Sequence, residues 1–172
     1  IEQAVELAAR QLVGSFSLVV LGSGGRLIAL RDRHGFRPLC LGRNGTDIAF
    51  ASESCALECA GFTFERDLSP GELVTVSTDG EIRSRQALTP GKEGMCVFEY
   101  VYFARTDSVM EGLSVYDARI RMGEALYREH PIEADIVCGV PDSGTEAAMG
   151  YARAGNLPFA PGFVKNRYIG RS

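Results

Sequence analysis

Residues 134–148, ADIVCGVPDSGTEAA, decide the fold of the second half of the chain. The apolar run ADIVCGV is typical of a buried strand, and TEAAMGYARAG has the composition of a helix. Proline, aspartate, serine and glycine between them predict a loop. Because a buried strand followed by a loop and a helix is the repeating unit of a parallel sheet, the stretch predicts an α/β fold.

The chemistry of this loop is suitable for an anion site. Unpaired amide groups at the start of the helix, with the hydroxyls of Ser143 and Thr145, would face the carboxyl end of the strand, where a phosphate or pyrophosphate can bind. Asp142 suits that place if Mg²⁺ lies between its carboxylate and the phosphates, or if it binds sugar hydroxyls. The alternative is that these residues serve only as turn and capping residues.

A second cluster of polar residues, KNRYIGR, occupies positions 165–171. Lys165, Arg167 and Arg171 can together clamp a polyphosphate, and Gly170 allows such a loop to fold over it. The alternative is a solvated basic turn without a ligand.

Composition limits the class of protein. The chain has 172 residues, of which 45% are hydrophobic and 23% charged, enough for one sizeable core or two small ones. A net charge of −4 argues against broad nucleic-acid binding, which would need a basic face. Apolar runs are shorter than the roughly 20 residues that span a bilayer, so we expect no membrane partner and a cytoplasmic location. Five scattered cysteines without a C-x-x-C pair indicate reduced thiols.

The two halves differ in pattern. IEQAVELAARQL predicts a helix, and residues 15–85 predict an antiparallel sheet of hairpins interrupted by a short helix, SESCALECAG. After the linker QALTPGKEGM, the order is strand (CVFEYVYFA), helix, strand, helix and a strand-like PFAPGFV. The fold class is therefore α+β followed by α/β. Since the chain opens without methionine, as if inside a helix, we expect an internal fragment.

The longer helix of the second half carries a start signal. Ser114 is expected to cap it, with Asp117 three residues later. Apolar spacing predicts its buried face to consist of Val115, Ala118, Met122, Ala125 and Leu126.

Several stretches together resemble a known family. GSFSLVVL, IALRDRHGFRPLCLGR, AFASESCALECAGF and DLSPGELVTV are similar to the latter part of the glutaminase domain of the glutamine phosphoribosylpyrophosphate amidotransferases. CVFEYVYFARTDS, VYDARIRMGEAL, GVPDSGTEAAMGYA and GFVKNRYIGRS continue the resemblance into their phosphoribosyltransferase domain. Thr106 and Ser172 depart from the family pattern, which has proline and threonine there.

The resemblance implies a fold and a reaction. Residues 1–90 would be the C-terminal part of an N-terminal-nucleophile glutaminase, an αββα sandwich, and residues 91–172 the start of a Rossmann-like phosphoribosyltransferase domain. The family makes 5-phosphoribosylamine, glutamate and pyrophosphate from glutamine, phosphoribosyl pyrophosphate and water, the first committed step of purine synthesis. The cysteine nucleophile is expected upstream of Ile1 and the ribose phosphate loop downstream of Ser172, so the fragment alone should be inactive.

The resemblance also implies roles for individual residues. Asp142, Ser143 and Gly144 would form the pyrophosphate loop, with Ser143 near Mg²⁺. The loop that closes over the substrate would contribute Lys165, Arg167, Tyr168 and Arg171, and Tyr168 would link its closure to the glutaminase site. Cys96 matches the first of four cysteines that hold a [4Fe–4S] cluster in one branch of the family. Purine nucleotides are implied as feedback inhibitors, and a homotetramer as the assembly.

Three alternatives remain. The first half alone also fits relatives such as the glucosamine-phosphate synthase amidotransferases, another group of N-terminal-nucleophile enzymes, although the second half favours the phosphoribosyl branch. A second alternative is an enzyme that keeps only the phosphoribosyltransferase chemistry. The third is a regulator that uses the phosphoribosyltransferase fold to sense its ligand, for which the sequence shows no DNA-binding module.

Overall fold

The computed structural model describes residues 1–166, 168 and 169. The chain divides into two compact units, Ile1–Cys96 and Val97–Ser172. The division falls close to the predicted boundary between residues 90 and 91. The assignment of each part to a named domain stays a prediction.

The first unit begins with a helix and continues as two antiparallel sheets. The elements are α1 Glu2–Ala9, β1 Ser17–Leu21, β2 Leu27–Arg31, β3 Cys40–Asn44, β4 Asp47–Ala51, α2 Ser54–Cys59, β5 Thr63–Asp67, β6 Glu72–Val76 and β7 Ile82–Gln86. The four-stranded sheet has the order β1-β2-β6-β7 and the three-stranded sheet the order β4-β3-β5. The predicted antiparallel strands and the short helix are confirmed, but the strands form two sheets instead of one.

Alternation along the central strands sets the layer order of this unit. On β2, Ile28 and Leu30 pack with Ala9 of α1, whereas Ala29 points the other way into a cluster that includes Leu41 of β3. On the opposite face of β3, a Cβ at Gly42 would lie 2.9 Å from Cδ1 of Leu57 in α2. The layers therefore follow the order α1, four-stranded sheet, three-stranded sheet, α2, an αββα sandwich.

The second unit contains a helical turn where a strand was predicted. Residues Glu99–Phe103 form a π-helical turn, and Tyr100 is buried there with its hydroxyl donating to the carbonyl of Met110 at 2.7 Å. The predicted strand over CVFEYVYFA is wrong because a short, nearly continuous apolar run does not distinguish a buried strand from a buried helical turn. The turn is followed by the strands β8, Val109–Met110, and β9, Leu113–Ser114, which pair antiparallel.

The predicted parallel sheet is reduced to one contact. ADIVCGV and PFAPGFV meet at a single parallel bridge between Val137 and Phe159. The amide of Val137 donates to the carbonyl of Pro158 at 2.8 Å, and the amide of Ala160 donates to the carbonyl of Val137 at 3.1 Å. The direction is as predicted, but no longer parallel ladder forms among residues 97–166. Parallel strands are stable as members of a sheet covered on both faces, and these two stretches have no further strand partner in that range.

Two helices pack closely in this unit. They are α3, Val115–Glu129, and α4, Gly144–Gly155. A Cβ at Gly123 would overlap the carbonyl oxygen of Ala147, and one at Gly150 would overlap that of Ile120. The backbones therefore approach each other where both helices carry glycine.

The start of α3 is as predicted, but its buried face is not. The Ser114 hydroxyl accepts a hydrogen bond from the amide of Asp117, as expected of a capping residue. Val115 and Ala118 are buried, whereas Met122 and Leu126 are 38% and 51% exposed. Contact with α4 through Gly123 rotates the buried face, so that it includes Arg119, Ile120 and Gly123 instead.

Candidate functional site

The second unit contains an open cleft with a volume of about 1100 Å³. One wall is formed by residues 102–107, which follow the π-helical turn, and the other by residues 140–144, which precede α4. Tyr116 and Arg119 of α3 complete the lining. The loop that the sequence predicts to bind pyrophosphate, Asp142, Ser143 and Gly144, therefore lines a cleft large enough for a sugar phosphate.

The start of α4 differs from that of α3. Ser143 is the capping residue of α4, yet its side chain makes no capping hydrogen bond. This finding weighs against a purely capping role for Ser143. The amides of Gly144 and Thr145 donate to the carbonyls of Val140 and Asp142 at 3.2 and 3.3 Å, so the expectation of unpaired amides is wrong for these two. A ligand here would depend more on side chains than predicted.

One residue of the predicted closing loop contacts the predicted pyrophosphate loop. Nζ of Lys165 lies 2.7 Å from Oδ2 of Asp142, and both side chains are exposed to solvent. Tyr168 is fully exposed, and its amide donates to the side-chain oxygen of Asn166 at 3.0 Å. Arg167 and Arg171, with Gly170 and Ser172, lie outside the described residues, so their predicted roles stay predictions.

Sequence reasoning missed a buried polar group beneath the cleft. The side chain of Arg119 is 3% exposed and donates from Nε to the carbonyl of Tyr100 at 2.7 Å and from Nη2 to that of Ala104 at 2.8 Å. Its Nη1 donates to Oγ1 of Thr106 at 2.9 Å. The available signal was a charged residue at position 119 between Ala118 and Ile120, on the apolar face of the helix.

A magnesium ion is compatible with the cleft. Mg²⁺ is commonly held by one or two carboxylates together with substrate phosphates and water. The carboxylate of Asp142 lies on the cleft wall beside Ser143 and is 68% exposed, so it is accessible to such an ion.

The described residues do not by themselves provide the ligands of an iron–sulfur cluster. Cys96 is half-buried, and no group of three or more potential metal ligands occurs in the part of the chain that the structure describes. A [4Fe–4S] cluster needs four ligands, usually cysteine thiolates. These residues alone therefore do not fit the cluster.

Over residues 1–166, no helix is both long and apolar enough to cross a membrane.

Comparison with known proteins shows what the chain is similar to. A family model described as a glutamine amidotransferase domain matches residues 1–59. An amidophosphoribosyltransferase of Archaeoglobus fulgidus is 45% identical over 98% of this chain and 36% of its own length. That of Methanocaldococcus jannaschii is 40% identical over 99% of this chain and 39% of its own length.

Solved structures agree with these relatives. The phosphoribosylpyrophosphate amidotransferase of B. subtilis, solved with ADP and GMP, superposes with a TM-score of 0.93 at 36% identity and covers 99% of this chain and 37% of its own. A second structure, described as the allosteric regulatory enzyme of purine biosynthesis, gives the same TM-score and identity. The chain thus spans little more than a third of the length of the proteins it matches. Along nearly all of its own residues, the chain is similar to amidophosphoribosyltransferases, to which it is 40% and 45% identical in these two relatives.

Proposed function

We propose that this chain is part of a glutamine-dependent amidophosphoribosyltransferase, which converts glutamine, phosphoribosyl pyrophosphate and water into 5-phosphoribosylamine, glutamate and pyrophosphate. The observation that carries the proposal is the cleft of the second unit, where the Asp142–Gly144 turn forms a wall and the ammonium group of Lys165 lies against it. Relatives that share the sequence of nearly the whole chain carry this name.

The second unit would bind phosphoribosyl pyrophosphate. The hydroxyl of Ser143 can donate a hydrogen bond to a phosphate oxygen, and the ammonium group of Lys165 can pair with phosphate charge. Asp142 would accept hydrogen bonds from sugar hydroxyls or hold Mg²⁺ beside the pyrophosphate, with Ser143 as its neighbour. When bound, the ion would supply positive charge to the leaving pyrophosphate. Arg167, Tyr168 and Arg171 belong to the same proposal as residues of the closing loop, which would exclude water before ammonia arrives.

The first unit would contribute to glutamine hydrolysis. Its αββα layers and the match of residues 1–59 to a glutamine amidotransferase domain support this assignment. The nucleophile would be an N-terminal cysteine outside this chain, whose amino group acts as the base. Ammonia released there would be the nucleophile at the ribose carbon in the second unit.

Cofactors and regulation beyond the cleft are further parts of the proposal. Cys96 is a candidate ligand of a [4Fe–4S] cluster whose other cysteines would come from outside this chain. Purine nucleotides are proposed as feedback inhibitors, and the B. subtilis structure was solved with ADP and GMP. A homotetramer and a cytoplasmic location complete the proposal.

The test uses the product of the complete gene, purified without oxygen. We expect phosphoribosylamine and pyrophosphate to form only when glutamine, phosphoribosyl pyrophosphate and Mg²⁺ are all present. Absence of the reaction, in a protein that retains its N-terminal cysteine, would sink the proposed function. The same preparation tests the cluster: about four irons per chain, lost in Cys96→Ser, support it, and an active protein without iron excludes it. Residues 1–172 expressed alone should release no pyrophosphate.

A further inference from the structure

The cleft has an internal hydrogen bond that joins its two walls. Oγ1 of Thr106, on the wall formed by residues 102–107, donates to Oε1 of Glu146 at 2.9 Å. Glu146 belongs to the first turn of α4, directly after the wall formed by residues 140–144. The two residues are 40 positions apart in sequence, so the bond fixes a long-range distance at the base of the cleft.

The hydroxyl of Thr106 donates one hydrogen bond and accepts another. It accepts from Nη1 of Arg119 at 2.9 Å while it donates to Glu146. A hydroxyl has one proton to donate and two lone pairs to accept with, so this arrangement sets the direction of both bonds. Valine has nearly the same shape as threonine but can form neither bond, and it would leave a buried guanidinium donor and a carboxylate acceptor without their partner.

Arg119 is held in place by the main chain. Its bonds to the carbonyls of Tyr100 and Ala104 anchor it at the π-helical turn. Its Nη1 lies 3.7 Å from Oε2 of Glu146, an oxygen that is buried and has no hydrogen-bond partner. The direct contact between guanidinium and carboxylate is thus long. Thr106 connects the two side chains by shorter hydrogen bonds, and it thereby fixes the position of α4 relative to Arg119.

We propose that Thr106 is a positioning residue for phosphoribosyl pyrophosphate. By joining Arg119 to Glu146, its hydroxyl holds the first turn of α4 and the adjoining Asp142–Gly144 turn at the spacing that the pyrophosphate group requires. The inference rests on the proposed function, because it takes phosphoribosyl pyrophosphate as the substrate of the same cleft. Thr106 takes no proton from the reacting atoms. It acts only through the placement of the opposite wall.

The experiment compares two substitutions at position 106 in the product of the complete gene. Pyrophosphate release is followed with saturating ammonium chloride, which removes dependence on glutamine hydrolysis. Thr106→Val should raise the KM for phosphoribosyl pyrophosphate about tenfold, because both hydrogen bonds that connect Arg119 to Glu146 are lost, with kcat changed less than about twofold. Thr106→Ser restores the hydroxyl and should return the KM to within about twofold of the parent.

A second pair guards against a Thr106→Val protein that does not fold. Glu146→Gln keeps an oxygen that can accept from Thr106, whereas Glu146→Leu removes it. The KM should rise about tenfold for leucine and clearly less for glutamine. Tyr151→Phe is the matched control, because it removes one side-chain hydrogen bond, 2.8 Å long to the carbonyl of His130, from the far part of the same helix. It should leave the KM unchanged.

The outcomes separate the two proposals. A parent protein that releases no pyrophosphate overturns the proposed function and this inference with it. An active parent in which Thr106→Val folds and keeps the parental KM overturns the inference alone. So does an equal KM for Glu146→Leu and Glu146→Gln, or a Thr106→Ser protein that behaves like Thr106→Val.

Discussion

Lys165 and Asp142 form an ion pair across 23 positions of the sequence, with 2.7 Å between Nζ and Oδ2. One residue belongs to the stretch predicted to close over the substrate, and the other to the turn predicted to bind its pyrophosphate. Their side chains are 47% and 68% exposed. An ion pair in this setting contributes at most about 1 kcal/mol to the free energy of unfolding, so its main effect would be on ligand binding.

Lys165→Met should therefore weaken substrate binding without unfolding the protein. Loss of the ammonium group removes a partner for phosphate charge, and we expect the KM for phosphoribosyl pyrophosphate to rise about tenfold or more. The melting temperature should change by less than about 2 °C. Steady-state kinetics and thermal melts of the complete gene product measure both. Lys92→Met, at the chain's other lysine, makes the same change of charge in the first unit and should alter neither value. Equal KM values for the two variants would show that Lys165 does not bind the substrate.

Replacing Gly123 by alanine should separate α3 from α4. The added methyl group would overlap the carbonyl oxygen of Ala147, and relief requires movement of a backbone. We expect the free energy of unfolding to fall by about 2–3 kcal/mol, as in overpacked cores. Gly144→Ala is the control: the nearest atom to its new Cβ is 3.9 Å away, and alanine favours the helix. In urea unfolding, Gly123→Ala should have a lower midpoint than the parent, and Gly144→Ala a higher one. A parental midpoint for Gly123→Ala would contradict the close approach.

Acidification should cost the first unit the stability that Glu72 provides. Burial acts to raise the pKa of Glu72, but hydrogen bonds from Arg66, from Ser84 and from the amide of Ser69 outweigh it and lower the pKa below its ordinary value of 4.5. A carboxyl whose pKa is lowered on folding stabilises the folded state above the unfolded pKa, and this contribution is lost as pH falls through the folded pKa.

The measurement is the urea midpoint between pH 7 and pH 3. At pH 7, Glu72→Gln should unfold at a lower urea concentration than the parent, with a free energy of unfolding that is smaller by about 1–2 kcal/mol. This difference in free energy should shrink below a pH of about 4.5. Glu81→Gln alters an exposed pair with Arg83 and should match the parent at each pH. A difference between Glu72→Gln and the parent that stays constant down to pH 3 would exclude linkage to this carboxyl.

Cysteine reactivity should separate Cys40 from Cys59. Burial, with the charge of Asp67, raises the pKa of the Cys40 thiol to about 12, whereas the Cys59 side chain is exposed. Because the thiolate is the reacting form, iodoacetamide at pH 8 should alkylate Cys59 and leave Cys40 unmodified in the folded protein. Peptide mass spectrometry shows both sites, and unfolding in urea should expose Cys40 to the reagent. Equal modification of both thiols before unfolding would contradict the buried position of Cys40.

Local signals made part of this structure predictable. Ser114 with Asp117 marked the start of α3, and the hairpin turns of the first unit marked its antiparallel sheets. A cap or a tight turn is decided by neighbours within a few residues, which the sequence displays directly.

Features that depend on distant partners were not predictable. Arg119 is buried because carbonyl groups at residues 100 and 104 and the hydroxyl of Thr106 accept its hydrogen bonds. A charged residue on the apolar face of the helix marks the position as unusual, but these partners lie 13 to 19 positions away and no local pattern identifies them. The exposure of Met122 and Leu126 follows from the glycine contacts of α3 with α4. Of the two walls of the cleft, the sequence therefore predicted the one formed by residues 140–144 and missed the one formed by residues 102–107.

Strand β1 leaves one row of peptide groups at the outer edge of the four-stranded sheet, because β2 is its only partner in the described order. Its sequence, SLVVL, carries no charge and no proline, and Val19 and Leu21 are 49% and 74% exposed. The opposite edge strand, β7, carries Arg83 and Arg85. Charged edges resist pairing with foreign strands, whereas flat apolar edges act as templates for it. Strand β1 is therefore the edge of this sheet at which the isolated chain would pair with a second strand and aggregate.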